Sequence, residues 1–201
     1  MSVDNIVFDF GGVLFDWNPR YLYRKIFDDE KQIDYFLTVV CPPEWNIQMD
    51  AGKPFAQACE ERKKLFPQYA AEIDAYNARW IEMFGEPLYE THKIVKKAAE
   101  KYNVYGLTNW SAEKFPDFKK RYGVFDYMKG IVVSGQEKRV KPDAEIYRRL
   151  TDRYGLNPEK TLFIDDNQIN VDGAKACGWQ GVLFENPASL RRRLSELGVT
   201  V

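Results

Sequence analysis

Five polar stations along the chain carry residue types suited to one chemistry. Asp9 follows the apolar run Ile6-Val7-Phe8, and Thr108 and Asn109 follow Val104-Tyr105-Gly106-Leu107. Ser134 follows Gly130-Ile131-Val132-Val133, Lys141 stands in the loop Glu137-Lys138-Arg139-Val140-Lys141-Pro142, and the pair Asp165-Asp166 follows Thr161-Leu162-Phe163-Ile164. A carboxylate, a hydroxyl, a lysine and an acidic pair converging on one edge support phosphoryl transfer through an aspartyl phosphate. The Asp9 carboxylate would attack phosphorus, and a hard divalent cation such as Mg2+ would screen the repulsion between the two anions. Magnesium takes oxygen ligands and keeps several waters, so one or two carboxylates and a backbone carbonyl suffice. Thr108 and Lys141 would hold non-bridging phosphoryl oxygens, as hydrogen-bond donor and compensating charge. The same lysine would keep Asp9 ionised beside acidic neighbours.

Something must bring these stations together. The apolar runs at 6–8, 104–107, 130–133, 161–164 and 181–184 are nearly continuous rather than alternating, as strands are when both faces of a parallel sheet are covered. Between the later runs the pattern is helical. Residues 88–102 carry Leu88, Ile94, Val95, Ala98 and Tyr102 on one face, and 143–154 starts after Pro142 and stops at Gly155. A last helix has Asn186 as N-cap, Pro187 at its first position and Gly198 past its end. The alternation predicts an α/β fold, a doubly wound parallel sheet of Rossmann-like type, which binds ligands beyond the carboxyl ends of its strands. Residues 17–86 break this rhythm. They are aromatic-rich, helical in pattern and punctuated at Pro42-Pro43, Gly52, Pro54, Pro67 and Gly85, with no strand signal between. The expected organisation is a core of 1–16 and 87–201 with a helical domain, 17–86, inserted after the first strand.

Bulk properties narrow the function classes. With 201 residues, 45% apolar, the chain can fill such a core, and a net charge of −1 gives no reason to expect nucleic acid or a membrane surface as partner. No apolar run approaches the roughly 20 residues of a spanning helix, and the first ten residues lack the basic segment of a signal peptide. Cys41, Cys59 and Cys177 are odd in number and lack metal-ligand spacing, so they read as reduced core thiols of a cytoplasmic protein, a monomer or weak homodimer. The single histidine, His92, lies in a charged helical stretch and reads as a solvated residue. Serine or cysteine hydrolysis with a histidine base, or a histidine zinc site, is thereby hard to build, and acid–base and metal work fall to carboxylates and lysine.

Taken in order, the stretches FDFGGV, LTNWS, KRVKPD and FIDDNQIN resemble the four motifs of the haloacid dehalogenase superfamily, whose members are mostly phosphatases. The resemblance spans the chain, and the helical insert sits where that family carries its cap domain. It implies Asp9 as nucleophile, Thr108 as the second-motif hydroxyl, Lys141 as the third-motif lysine and Asp166, with Asp165 beside it, as the magnesium carboxylates. It also implies that Gly11 offers its backbone carbonyl to the metal and that Asn109 and Asn170 support the site. Gly11 and Gly12 would permit the tight turn and close approach of backbone to phosphate that a bulkier residue would obstruct. The expected substrate is a small phosphorylated metabolite, a sugar phosphate being one candidate.

One position departs from the family pattern. Its phosphatases place a second aspartate two residues after the nucleophile, to protonate the leaving group and then activate water; here that residue is Gly11. Losing a positioned acid–base removes about 10²–10⁴-fold of rate. Either a good leaving group needs little protonation, or another acid substitutes (Asp16 and Asp50 being candidates on charge), or the protein binds phosphometabolites with weak turnover. The namesake dehalogenases attack a carbon–halogen bond with the same aspartate and no metal, but Asp165-Asp166 would then set needless negative charge beside an anionic substrate. Receiver domains share the ingredients but place the acidic pair first, and have no room for such an insert. Substrate choice is expected in the segment 44–52, read as a loop with Trp45 a candidate to face the substrate, and Trp17, Asn18, Arg79, Trp80 and Trp110 are further candidates for the cleft; the simpler reading of Trp45 and Trp80 is packing inside the insert, and that of Arg79 a surface ion pair.

Overall fold

The computed structural model describes residues 2–201. Strands β1 (Asn5–Phe8), β4 (Asn103–Thr108), β5 (Gly130–Val133), β6 (Thr161–Asp165) and β7 (Gln180–Leu183) form one parallel sheet in the order β5-β4-β1-β6-β7. The fold is the expected α/β, doubly wound arrangement. Strands β2 (Phe15–Trp17) and β3 (Phe84–Pro87) pair antiparallel as a separate ribbon.

Successive side chains of a strand point to opposite faces, and here both faces are apolar because both are covered. Ile6 and Phe8 of β1 join Val104, Leu162 and Ile164 in one layer, while Val7 joins Tyr105, Leu107 and Phe163 in the other. Helices Tyr89–Ala98 and Pro187–Glu196 seal the first layer with Ile94, Val95, Leu190 and Leu194. Helices Ala144–Tyr154 and Gln168–Ala176 seal the second with Ile146, Tyr147, Leu150 and Ala174. The caps follow the sequence. Asp143 accepts from the Glu145 amide, Gly155 closes that helix at φ 62°, and Asn186 accepts from the Ser189 amide at 2.8 Å.

The ribbon is the element the sequence did not announce. Phe15-Asp16-Trp17 and Phe84-Gly85-Glu86-Pro87 are three and four residues long, the second holding the glycine and proline that ordinarily break strands. They pair because the chain leaves the sheet layer at one and returns at the other, so the expectation of no strand within 17–86 is corrected at Trp17 and at Phe84 to Glu86. Between them the segment is helical, with Tyr23, Phe36, Trp45, Met49, Phe55, Ile73 and Tyr76 packed inside it. That packing is continuous with the sheet layer through an aromatic junction: Trp80 lies 5.5 Å from Trp110, Phe84 stacks on Trp110 at 5.4 Å, and Phe118 lies 4.6 Å from Phe84.

His92 is not the solvated residue expected. It is half-buried, edge-on to Phe15 at 5.1 Å, and its Nε2 lies 2.9 Å from the Leu14 carbonyl. A carbonyl only accepts, so Nε2 carries the proton, and the ring ties helix Tyr89–Ala98 to the turn before β2. The three cysteines are free; Cys41 and Cys59 are buried, whereas Cys177 is partly exposed rather than in the core.

One close approach in the sheet is testable. A Cβ added at Gly106 in β4 would stand 2.3 Å from Cζ of Phe10, whose ring fills the space over that strand. Overpacking of this kind costs about 1–3 kcal/mol. Gly106→Ala should lower the urea midpoint accordingly with an unchanged m-value, and an unchanged midpoint would show that Phe10 moves freely.

Candidate functional site

Strand order reverses at β1: β4 and β5 lie on one side, β6 and β7 on the other. The crevice beyond the carboxyl ends of the strands at such a switch point is where open parallel sheets bind ligands. The registers align the strand ends, with Phe8 opposite both Gly106 and Ile164. Asp9 therefore leaves the central strand between Thr108 and Asp165, and its amide extends the ladder to the Ile164 carbonyl at 2.9 Å.

Lys141 stands at the middle of this group. Its ammonium is 2.8 Å from Asp9 Oδ1 and 2.6 Å from Asp165 Oδ2, and all three residues are buried. The backbone is held by a reciprocal pair: the Lys141 amide donates to Asn109 Oδ1 at 2.8 Å, and Asn109 Nδ2 donates to the Lys141 carbonyl at 3.1 Å. Asn109 thus pins the loop to the end of β4. Asp165 is saturated, since besides Lys141 it accepts from the Asn167 amide at 2.8 Å and from Asn170 Nδ2 at 3.1 and 3.2 Å. Desolvation opposes the buried ammonium most, but Asp165 and Asp9 outweigh it and hold Lys141 above its ordinary value. Burial pushes the Asp9 carboxyl up to about 7; Lys141 pulls it back, and Asp165 and Asp166 push it further.

Three carboxylates against one ammonium leave an excess of negative charge that suits a divalent cation. Oxygen atoms of Asp9, Asp165 and Asp166 lie within 4.8 Å of one another, and Asp166 is the exposed member. Gly12, at φ 72°, makes the approach of Asp166 possible, because a Cβ there would fall 2.0 Å from Asp166 Oδ2. The hydroxyl of Thr108 is buried without a hydrogen-bond partner among the described residues, a donor held ready for an acceptor that the protein does not supply. An all-oxygen carboxylate set with this charge excess fits Mg2+.

A cavity of about 90 Å³ opens beside these groups, lined by Gly11, Trp17, Asn46, Asp50, Trp80, Phe84, Asn109 and Trp110. A Cβ built on Gly11 would meet nothing within 4 Å, so the position two residues after Asp9 has room for a side chain. The aromatic junction between the insert and the sheet layer is the cavity's apolar wall.

The structure thus brings Asp9, Gly11, Gly12, Thr108, Asn109, Lys141, Asp165, Asp166 and Asn170 to one sheet edge. It does not bring Trp45. That ring is buried within the insert, edge-on to Tyr76 at 4.9 Å, and does not line the cavity. The reason is that 44–52 is not a loop: Pro43–Asp50 is a helix, which turns Trp45 and Met49 inward and Asn46 and Asp50, four apart, toward the cavity. Trp17, Trp80 and Trp110 do line it. Arg79 forms the surface ion pair that was its simpler reading, with Glu82 at 2.8 Å, and Asn18 accepts from the Arg20 amide. Phe84 was missed; only recognition of the ribbon, which alternates Phe84 toward the cavity, could have found it. Ser134 turns away from the reacting groups, accepting from the Trp110 amide at 2.9 Å and donating to the Asp50 carbonyl at 2.5 Å.

Comparison with known proteins agrees with this geometry. The chain is 27% identical to a sesquiterpene phosphatase of Aspergillus oryzae, over 95% of this chain and 94% of that one. It is 26% identical to a D-ribitol-5-phosphate phosphatase of Bacteroides thetaiotaomicron, over 96% and 97%. A crystal structure of a HAD-family enzyme of Bacteroides thetaiotaomicron in complex with magnesium superposes with a TM-score of 0.74 at 24% identity, covering 92% of this chain and 95% of that one. The model of the haloacid dehalogenase-like hydrolases matches residues 3–178, and the chain belongs to that family of hydrolases.

Proposed function

We propose that the protein is a magnesium-dependent phosphatase that hydrolyses a small phosphorylated metabolite through a phosphorylated Asp9. The observation that carries this reading is the buried ammonium of Lys141 held between Asp9 and Asp165, with the partnerless Thr108 hydroxyl on the adjacent strand end. An Asp9 oxygen attacks phosphorus in line with the ester oxygen. Lys141 balances charge on the transferring group, and Thr108 donates to one of its oxygens. Asn109 and Asn170 act one step back, fixing Lys141 and Asp165. Asp9, Asp166 and the Gly11 carbonyl would hold Mg2+, with Asp165 behind them orienting the lysine. When bound, the cation shields the nucleophile from the phosphate it attacks.

The relatives named for phosphatase activity support the reaction class, and the magnesium complex of a structural relative supports the metal. We assign residues 17–86 as the cap, because the cavity is closed on one side by Asn46, Asp50 and Trp80 of that segment. The cavity offers aromatic faces beside amide and carboxyl groups, a surface suited to a polyol or sugar phosphate, in which C–H faces and hydroxyls alternate. Metal-independent dehalogenation is disfavoured by the charge excess at Asp9, Asp165 and Asp166, which repels a haloacid carboxylate.

Two measurements test the proposal. A panel of pentose, hexose, polyol and prenyl monophosphates should show turnover with Mg2+ and none with EDTA, and Asp9→Asn should lose at least about 10³-fold. Release of chloride from 2-chloropropionate with EDTA, with no phosphate cleaved, would overturn it. Separately, Mg2+ at about 100 times its Kd should stabilise the fold by about 2.7 kcal/mol, a rise in Tm of roughly 5–10 °C for a chain of this size. Asp166→Asn should abolish most of that rise, and an equal rise in the variant would place the cation elsewhere.

A further inference from the structure

The position two residues after Asp9 is Gly11, with open space where a side chain would begin. The space belongs to the cavity, and the cavity holds one carboxyl from outside the Asp9–Asp165–Asp166 group, that of Asp50. We propose that Asp50, carried by the inserted helical segment, donates the proton to the leaving group and then takes one from the attacking water, the task left open at Gly11. The inference rests on the phosphatase reading above.

Contacts of both side chain and backbone fix Asp50 in place. It is the last residue of helix Pro43–Asp50, and its Oδ2 accepts from Asn46 Nδ2, one turn back, at 2.9 Å. Asn46 is itself oriented by the Tyr76 hydroxyl, which donates to Asn46 Oδ1 at 3.0 Å. Oδ1 of Asp50 takes no hydrogen bond from the protein among the described residues, so one carboxyl oxygen is held and the other is free to exchange a proton. The backbone is clamped to the sheet layer as well: Ser134 Oγ donates to the Asp50 carbonyl, and Gly52, at φ 98°, lies so close to the Gly135 carbonyl that a Cβ would stand 2.8 Å from it. Asp16, the other candidate by charge, is engaged on the ribbon instead. It accepts from the Tyr21 hydroxyl beside Gly85 and does not line the cavity.

The surroundings suit a group that must be protonated in one step and ionised in the next. The residue keeps solvent exposure through the cavity it lines, while its carboxyl is surrounded by protein. Burial pushes it up to about 7, against the opposing pull of Lys141. The other titratable group facing it is Tyr76, from helix Ala70–Ala78, which burial keeps protonated; Glu44, on its own helix, points to solvent. In the first step an Asp9 oxygen bonds to phosphorus, the phosphorus–ester oxygen bond breaks, and the Asp50 proton passes to the departing alkoxide to give the alcohol. In the second, water bonds to phosphorus, its proton passes to the Asp50 carboxylate, and the phosphorus–Asp9 bond breaks to release phosphate. Each proton that leaves Asp50 is replaced, and no co-reactant is needed.

Asp50→Asn is nearly isosteric and keeps a hydrogen bond to Asn46. With an alkyl phosphate its kcat should fall about 10²–10⁴-fold. With p-nitrophenyl phosphate, whose leaving group needs no proton, the variant should release a burst of one nitrophenolate per enzyme and then turn over slowly, because only water activation is impaired. Adding Gly11→Asp to Asp50→Asn should recover at least tenfold on the alkyl ester. Equal rates for wild type and variant on both esters would overturn the role of Asp50 and leave the phosphatase reading standing. Failure of the wild type to cleave any phosphate ester with Mg2+ would instead sink that reading. If Asp50→Asn does not fold, the wild type decides. A rate nearly independent of leaving-group basicity supports a bound acid, and a steep decline toward alkyl esters overturns it.

A stability measurement reports on the same carboxyl without turnover. Its value is 3.8 in a free chain and about 7 when folded, so between those values the folded protein binds a proton that the unfolded chain releases. The contribution of the group therefore declines as pH rises through that window. Asp50→Asn, with no proton to lose, should gain stability on the wild type between pH 4.5 and pH 8 in urea titrations. A difference constant with pH would mean that the carboxyl is ordinary, and would remove the chemical basis of its role.

Discussion

A buried ammonium cannot stand alone in a protein interior, and the ion triad of Asp9, Lys141 and Asp165 organises the site around that constraint. Desolvation of each charge costs several kcal/mol, and only close pairing with further hydrogen bonds offsets it. Each part of the surroundings answers that demand. Asn109 fixes the lysine loop to β4, Asn170 and the Asn167 amide satisfy the outer oxygens of Asp165, and the parallel register sets the three strand ends level. Removing one partner of such a group costs about 3–5 kcal/mol because the others stay buried without compensation. The triad thus holds Asp9 and its counter-charge in one geometry, which, for the nucleophile proposed, is the condition for electrostatic stabilisation of a transition state without reorganisation.

Much of this was legible from the chain alone, for a physical reason. Parallel strands buried on both faces leave continuous apolar runs, and the residues just after them must lie at one edge, so Asp9, Thr108, Asn109, Lys141, Asp165 and Asp166 could be assembled on paper. The helix ends at Gly155 and Asn186 were equally readable, because caps act through their own side chains or φ angles. What was not legible depended on contacts between distant segments. Ribbon strands of three and four residues have too little pattern to register, and Phe84 was lost with them. The segment holding Trp45 was read as a loop because a Pro-Pro start and a closing glycine obscure its eight-residue helix. Within that helix Trp45 and Asp50 face different ways, which composition cannot reveal. His92 looked solvated among lysines, yet its acceptor, the Leu14 carbonyl, is 78 residues away.

Glycine serves two distinct purposes at the loop after β1. Gly12 is favoured by its left-handed backbone, φ 72°, and by the closeness of the Asp166 carboxylate. Gly11 is required by nothing steric, since its Cβ position is open. The absent side chain there answers no packing demand. Gly11 and Asp50 line the same small cavity, so the proposed mechanism gives Asp50 the task for which Gly11 has no side chain.

In the proposed mechanism that placement would couple chemistry to the contact between the insert and the sheet layer. The Asp50 carbonyl is held by Ser134, and Gly52 lies against the Gly135 carbonyl. Ser134 also accepts from the Trp110 amide, so the same hydroxyl joins the clamp to the aromatic wall. In the proposed mechanism the phosphoryl-accepting Asp9 belongs to the sheet and the proton-transferring Asp50 to the insert. Separation of the two would leave Asp9, Lys141 and Asp165 intact but remove both the proton donor and half of the cavity wall. Closure of such a lid excludes bulk water, and here it would also deliver the acid.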